Sequence, residues 1–227
     1  MSNGEQEPVA IRAIDVVKEF DGGILRALNG VNLEVKQGEF VAVTGPSGCG
    51  KSTLLHLIAS LDRPTSGSII VNDRDLRTAG NDRFRRKEIG LVFQLHNLLP
   101  QLTALENVEI PMFGTGTTHG QQRKRAGEVL AAVGLSAKER TTPPRLSGGE
   151  RQRLAIARAL ANEPSIILAD EPTGNLDTSA VDNLLELLQR IRKERGVTIL
   201  MVTHDAHVAA AADRVVRMVD GRIEEQR

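Results

Sequence analysis

A chain of 227 residues falls within the span of one α/β unit, and its 29 Lys and Arg are matched by 29 Asp and Glu, so no overall basic field exists to draw in DNA or RNA. Five Phe with no Trp and no Tyr make the core aliphatic and weaken base stacking as a binding mode. The single cysteine, Cys49, excludes an intrachain disulfide; the polar, acidic start MSNGEQEPVA holds no apolar signal segment, and no run of 18 apolar residues spans a bilayer, so a membrane task would need a second chain.

In chain order, residues 1–8 are expected to be disordered. Residues 9–17 and 31–35 read as strands around a Gly-containing turn, FDGG. EFVAVT at 39–44 is a short apolar strand that ends in a glycine loop. LLHLIASL at 54–61 is apolar on nearly all sides and predicts a buried helix. Strands follow at 68–71 and 89–93. From about 94 to 162 strand patterns vanish and helices are predicted at 104–109, 122–133 and 149–161, with an exposed loop at 113–122. The basic run RFRRK at 83–87 reads as a solvated face. Strands return at 165–169 and 197–203, separated by an amphipathic helix at 179–194. DRVVRMVDGRIEE closes the chain as a hairpin turning at Asp220-Gly221. Strands alternating with helices imply a parallel sheet with helices on its faces.

GPSGCGKST at 45–53 fits G-x-x-x-x-G-K-[ST] between an apolar strand and a helix. Gly45, Pro46, Ser47, Gly48, Cys49, Gly50, Lys51, Ser52 and Thr53 form the loop. The glycines let backbone N–H groups converge on phosphate, and the helix N-terminus adds partial positive charge. Lys51 can reach terminal phosphates, and the Ser52 hydroxyl can bind Mg²⁺. Cys49 reads as a passive loop residue, with a reactive thiol as the alternative. SIILADEPT ends an apolar strand in Asp170 and Glu171, at the strand end where parallel sheets bind ligands. Asp170 can hold Mg²⁺ and Glu171 can polarise a water for attack on phosphate. His204 follows another buried strand and can face the same crevice. Ser147, Gly148, Gly149 and Glu150 form a capping-box pattern; yet a cap needs no glycines between its ends, so a second anion site is the competing reading.

These motifs in this order, with Gln94 after an apolar strand and GNLD after IILADE, resemble the nucleotide-binding subunit of ATP-binding cassette (ABC) transporters over nearly the whole chain. The resemblance implies an α/β P-loop NTPase fold of the ABC type: a RecA-like core, an antiparallel β subdomain and an inserted helical subdomain at about 95–162, within a single domain spanning 9–227. It further implies an ATP-hydrolysing subunit that forms a homodimer with two ATP molecules sandwiched at composite sites. Gly45 to Thr53 would be the Walker A loop; Gln94 would touch Mg²⁺ and the attacking water. Leu146 to Glu150 would be the signature, its Ser147, Gly148, Gly149 and Glu150 acting across the dimer. Asp170 would be the Walker B aspartate, Glu171 the general base, Asp177 the D-loop aspartate and His204 the switch histidine. Phe20 stands where a tyrosine usually stacks on adenine, although a core Phe is an equal reading of the residue alone. Glu150 replaces the commoner Gln, which leaves its own role open.

FQLHNLLPQLTALENVEIP is similar to the branch of lipoprotein-releasing and macrolide-exporter ATPases. That implies an integral-membrane permease partner, work at the cytoplasmic face of the membrane, and export, release or mechanotransmission. A soluble ABC ATPase acting on nucleic acid, ribosomes or the cell-division machinery is the alternative, but such proteins carry two cassettes or a coiled coil; no nucleic acid is expected here.

Overall fold

The structure, a computed structural model, describes residues 8–77, 81–94, 96–174 and 176–226, with the backbone alone at 81–83. The disorder expected at 1–8 therefore lies, for 1–7, outside the described residues, as do Asn175 of GNLD and the side chain of Arg83 in the basic run.

Four strands form an antiparallel sheet in the order β2-β1-β4-β5: β1 (Val9–Phe20), β2 (Leu25–Lys36), β4 (Ser66–Val71) and the two-residue β5 (Arg74–Asp75). β1 and β2 run well past their predicted limits. Their outer ends mix polar residues with exposed apolar ones such as Phe20 and Leu25, and cross-strand ion pairs such as Arg26–Glu19 decorate them, so apolar alternation could not mark their ends. A turn at Asp21–Gly23 joins them, as FDGG suggests.

The second sheet has the order β10-β9-β3-β8-β7-β6, from β3 (Phe40–Thr44), β6 (Ile89–Val92), β7 (Ile166–Asp170), β8 (Thr198–Val202), β9 (Arg214–Val219) and β10 (Arg222–Gln226). All its pairings are parallel except the closing β9–β10 hairpin. That hairpin turns at Asp220 (φ 46°) and Gly221 (φ 73°), the positive-φ pair that a two-residue loop needs. The sheet alternates its side chains between two cores, as a period of two requires. Phe40, Ile167, Ile199 and Met201 pack against Leu154, Ile156, Leu184 and Leu188 from helices. Val41, Val43, Leu168, Leu200 and Val202 pack instead with Leu54, Leu57 and Ile58 and with the antiparallel sheet's Ile11, Val16 and Leu28. Each fully buried aliphatic side chain contributes about 1.5–3 kcal/mol.

The helices are α1 (Lys51–Ile58), α2 (Asn81–Glu88), α3 (Ala104–Glu109), α4 (His119–Ala132), α5 (Gly148–Ala159), α6 (Thr178–Arg195) and the short α7 (Ala206–Ala210). α1 begins earlier than predicted and stops before Ser60, whose left-handed backbone (φ 55°) ends the pattern and leaves Leu61 42% exposed. The loop expected at 113–122 is already helical from His119. Thr118 and Gln121 form a reciprocal cap there, and the buried Gln122 amide donates to the carbonyls of Met112 and Thr117. α2 and α7 were not expected: the first is almost wholly polar and the second is five residues long. In α2, Phe84 is buried while Arg86 and Lys87 are exposed.

Candidate active site

The parallel register places the chemistry. β3, β8, β7 and β6 are successive neighbours, and each is followed at its C-terminal end by a candidate site segment: the 45–53 loop, His204, Asp170 with Glu171, and Gln94. Backbone hydrogen bonds carry the row past the strands, from Thr203 N–H to Val43 and from Glu171 N–H to Val202. Four sequence-distant segments therefore meet along one sheet edge, where ligands bind in open α/β folds.

The loop crest at Pro46, Ser47 and Gly48 is exposed, while Cys49, Gly50 and Lys51 are buried. Three glycines permit close approach beneath it. A Cβ on Gly45 (φ 146°) would stand 2.0 Å from the Met218 carbonyl oxygen. One on Gly50 (φ 101°) would stand 2.4 Å from the Ala27 carbonyl oxygen, and one on Gly221 would meet that same atom at 2.8 Å. Gly221 N–H also donates to the Cys49 carbonyl. The loop is thus wedged between β2 and the closing hairpin. The Lys51 ammonium donates to the carbonyls of Gly45 (2.9 Å) and Pro46 (2.8 Å), which compensates its burial. Cys49 Sγ lies 3.8 Å from that ammonium and packs beneath Gly45.

Ser52 Oγ donates to Asp170 Oδ1 at 3.0 Å. Burial pushes the Asp170 carboxyl above the usual aspartate range, opposed by the Ser52 hydrogen bond. This donor set fits Mg²⁺: a hydroxyl and a carboxylate, both hard oxygens, converge beside a loop built for phosphate. Glu171 sits in the left-handed region (φ 45°), a conformation costing about 1–3 kcal/mol that persists where surroundings enforce it. Its Oε2 lies 2.9 Å from His204 Nδ1. The Gln94 carboxamide lies against Gly174 in the turn that follows Glu171; a Cβ there would stand 3.2 Å from Gln94 Nε2.

Phe20 ends β1 with 37% exposure and Lys18 poised 4.8 Å over its ring, so it is no core residue. It pairs with Leu25, and β2 runs from there to Ala27, which touches Gly50. Asp177 caps α6, its Oδ1 accepting from Ala180 N–H and Ser179 Oγ. Ser147 caps α5 in the reciprocal box with Glu150: Glu150 N–H donates to Ser147 Oγ, and Ser147 N–H donates to Glu150 Oε2. The hydrogen bond from Ser147 N–H holds the Glu150 carboxyl below the usual glutamate range, and Lys138 pairs with it at 3.2 Å. Gly149 faces Ala180 at the start of α6. Among the described residues no hydrogen bond or ion pair joins Ser147 to the 45–53 loop.

Sequence reasoning missed two side chains that hold the segment after Gln94. Arg158 of α5 donates to the carbonyls of His96 and Asn97. Asn107, fully buried in α3, grips Leu99 at both backbone N–H and carbonyl and also reaches the carbonyls of Leu102 and Thr103. The one signal for Asn107 was a polar residue between the apolar Leu105 and Val108.

A glycine-rich loop gripping a lysine, opening a helix at the edge of a parallel sheet and flanked by a serine–aspartate pair and a glutamate, defines a P-loop nucleotide triphosphatase. The comparisons with known proteins sharpen this. The family model for ABC transporters matches residues 28–174, and the chain belongs to that family. It is 49% identical over 216 residues to an uncharacterized ABC transporter ATP-binding protein of Thermotoga maritima, covering 93% of this chain and 92% of that one. It is 47% identical to the lipoprotein-releasing system ATP-binding protein LolD of Bordetella avium, covering 94% and 95%. An ATP-binding cassette solved as a dimer in a post-hydrolysis state with ADP and phosphate superimposes with a TM-score of 0.87 at 42% identity, covering 96% and 97%. The chain is an ATP-binding, ATP-hydrolysing subunit of the ABC type, with the antiparallel and parallel sheets and helical insert that its sequence led one to expect.

Proposed function

We propose that two copies of this chain close on two ATP molecules and that closure and hydrolysis drive a separate integral-membrane permease from the cytoplasmic face of the membrane. Each ATP lies between the 45–53 loop of one copy and Ser147, Gly148 and Gly149 of the other. The observation that carries this reading is the split geometry: the loop, Asp170, Glu171, His204 and Gln94 share one sheet edge, whereas Ser147 heads a helix with no polar link to that loop within the described chain. The similar cassette solved as a dimer supports it.

In this site Lys51 exchanges its two carbonyl contacts for terminal phosphate oxygens, and the loop N–H groups hold the rest. Ser52, Asp170 and Gln94 would hold Mg²⁺, which supplies neutralisation of phosphate charge. Glu171 takes the proton of the attacking water as general base. His204, against Glu171 Oε2, holds that carboxylate and reaches the terminal phosphate. Phe20 stacks on adenine, and Asp177 stands at the dimer face. Residues 9–227 act as one ATPase domain with a helical insert at about 95–162. Relatives named for lipoprotein release favour export, release or mechanotransmission over work on nucleic acid.

Glu171→Gln tests this. Loss of the base predicts a fall of about 10²–10⁴-fold in turnover, with a stable dimer on size-exclusion chromatography in ATP. Parental turnover would refute the assignment.

A further inference from the structure

We infer that Arg158 is a positioning residue for Gln94, so that one helix serves two ATP sites: its first turn offers Ser147 to the partner's nucleotide, and its last turn sets Gln94 at its own. The inference rests on the composite-site reading above. Its observations are independent of that reading.

Arg158 is the penultimate residue of α5, about 16–17 Å along the helix from Ser147. Its guanidinium donates to the Asn97 carbonyl and, at 2.7 Å, to the His96 carbonyl. Burial pushes its pKa down, and among the described residues no carboxylate pairs with it. Arg158 is half-buried, and a partly desolvated cation matched by two carbonyls is held by the loop as it holds the loop. The residues it grips are the ones that need gripping. His96 (φ 59°) and Asn97 (φ 48°) are consecutive non-glycine residues in the left-handed region, an arrangement that survives only where the surroundings impose it.

The helix end is fixed to the sheet as well. Gly90 in β6 leaves room for the Ala159 carbonyl, which a Cβ would meet at 2.6 Å. β6 ends two residues before Gln94, so α5 is pinned both to the strand that enters the segment and to the loop that leaves it. Between Ser147 and Arg158, Leu154, Ala155, Ile156 and Ala157 are fully buried and tie the helix to the core along its second half. A displacement of Ser147 by the partner's phosphate is therefore felt at His96 and Asn97, and through them at Gln94.

The experiment is a double-mutant cycle on ATP turnover in the full chain. Gln94→Ala and Arg158→Ala are each expected to lower kcat by about 10–100-fold, the scale of a misplaced catalytic contact, while the KM for ATP moves by less than about threefold because the 45–53 loop, Ser52 and Asp170 still hold the phosphates and their metal. If Arg158 acts through Gln94, the double variant is no slower than Gln94→Ala alone. Arg158→Lys keeps the charge but not the two-carbonyl fork; it should recover part of kcat, and it completes the cycle if Arg158→Ala fails to fold. Multiplicative losses in the double variant, by either substitution, would overturn the inference while leaving the site reading intact. Parental turnover in Gln94→Ala would overturn both.

Discussion

Replacing Gly50 by alanine separates two demands that the phosphate loop makes on its glycines. Gly50 caps α1 at φ 101°, and Gly48 sits on the loop crest at φ 79°. Each alanine meets the left-handed penalty of about 1–2 kcal/mol. They differ in surroundings. A Cβ on Gly48 meets nothing within 4 Å, whereas one on Gly50 meets the Ala27 carbonyl oxygen at 2.4 Å and Leu28 Cδ2 at 2.8 Å. The Ala27 carbonyl belongs to β2 and is also packed closely by the Gly221 backbone, which hydrogen bonds to Asn29 and Cys49 hold in place. Overpacking of this kind adds about 1–3 kcal/mol. In a chain of 227 residues that extra cost corresponds to a further fall in Tm of roughly 2–12 °C. The assay is thermal unfolding of Gly50→Ala and Gly48→Ala side by side in nucleotide-free buffer, so that lost ATP binding cannot contribute. Equal Tm values would refute the argument, since they would mean that backbone conformation alone, and not the wedge of β2, demands glycine at position 50.

Asn107→Ala should destabilise by about 2–4 kcal/mol in urea titration, because it strands the buried backbone groups of Leu99, Leu102 and Thr103 that the amide satisfies; a loss below that of an ordinary surface substitution would show that water replaces the amide. His207 Nε2 lies 2.7 Å from Asp182 Oδ1, and this bond raises the His207 pKa above its usual value. The stabilisation is complete below the ordinary histidine pKa and fades as pH rises through the raised one, so Asp182→Asn should lower the His207 titration midpoint by NMR and flatten the pH dependence of Tm around neutrality; an unmoved midpoint would rule out the pair.

The site was legible where chemistry follows directly on a buried strand. The EFVAVT, SIILA and VTILMVT runs end respectively at the glycine loop, at Asp170 and at His204, and parallel pairing then brings those ends to one edge. The supports were not legible, because they depend on chain-distant contacts without a local pattern. Arg158 reads as one more polar residue on an amphipathic helix, yet its partners lie 61 and 62 residues away. The Ala27 carbonyl has no sequence signature at all. Gly50 and Gly221 record its position only as gaps, and a gap can be read from sequence only when the atom filling it is already known. The missed start of α4 is different in kind: Thr118 and Gln121 carry a reciprocal cap in plain sight, but without a following apolar run the pattern looked like loop.

Ser147 shows why a bland reading and a functional one need not compete. The cap uses the serine oxygen as an acceptor from Glu150 N–H, and the hydroxyl, which with Ser147 N–H also helps hold the Glu150 carboxyl low, can rotate to donate elsewhere. Gly148 and Gly149 occupy the first two positions of α5, where backbone N–H groups have no partner inside the helix. Side chains there would shield those groups; glycines leave them open to an anion. Glu150 brings a negative charge to the same turn, which would repel phosphate if it faced outward. It instead accepts from Ser147 N–H and pairs with Lys138, so its charge is spent on the cap. Capping thus orients the serine and pairs the carboxylate of that turn, so the cap and the proposed contact with a partner's nucleotide are compatible.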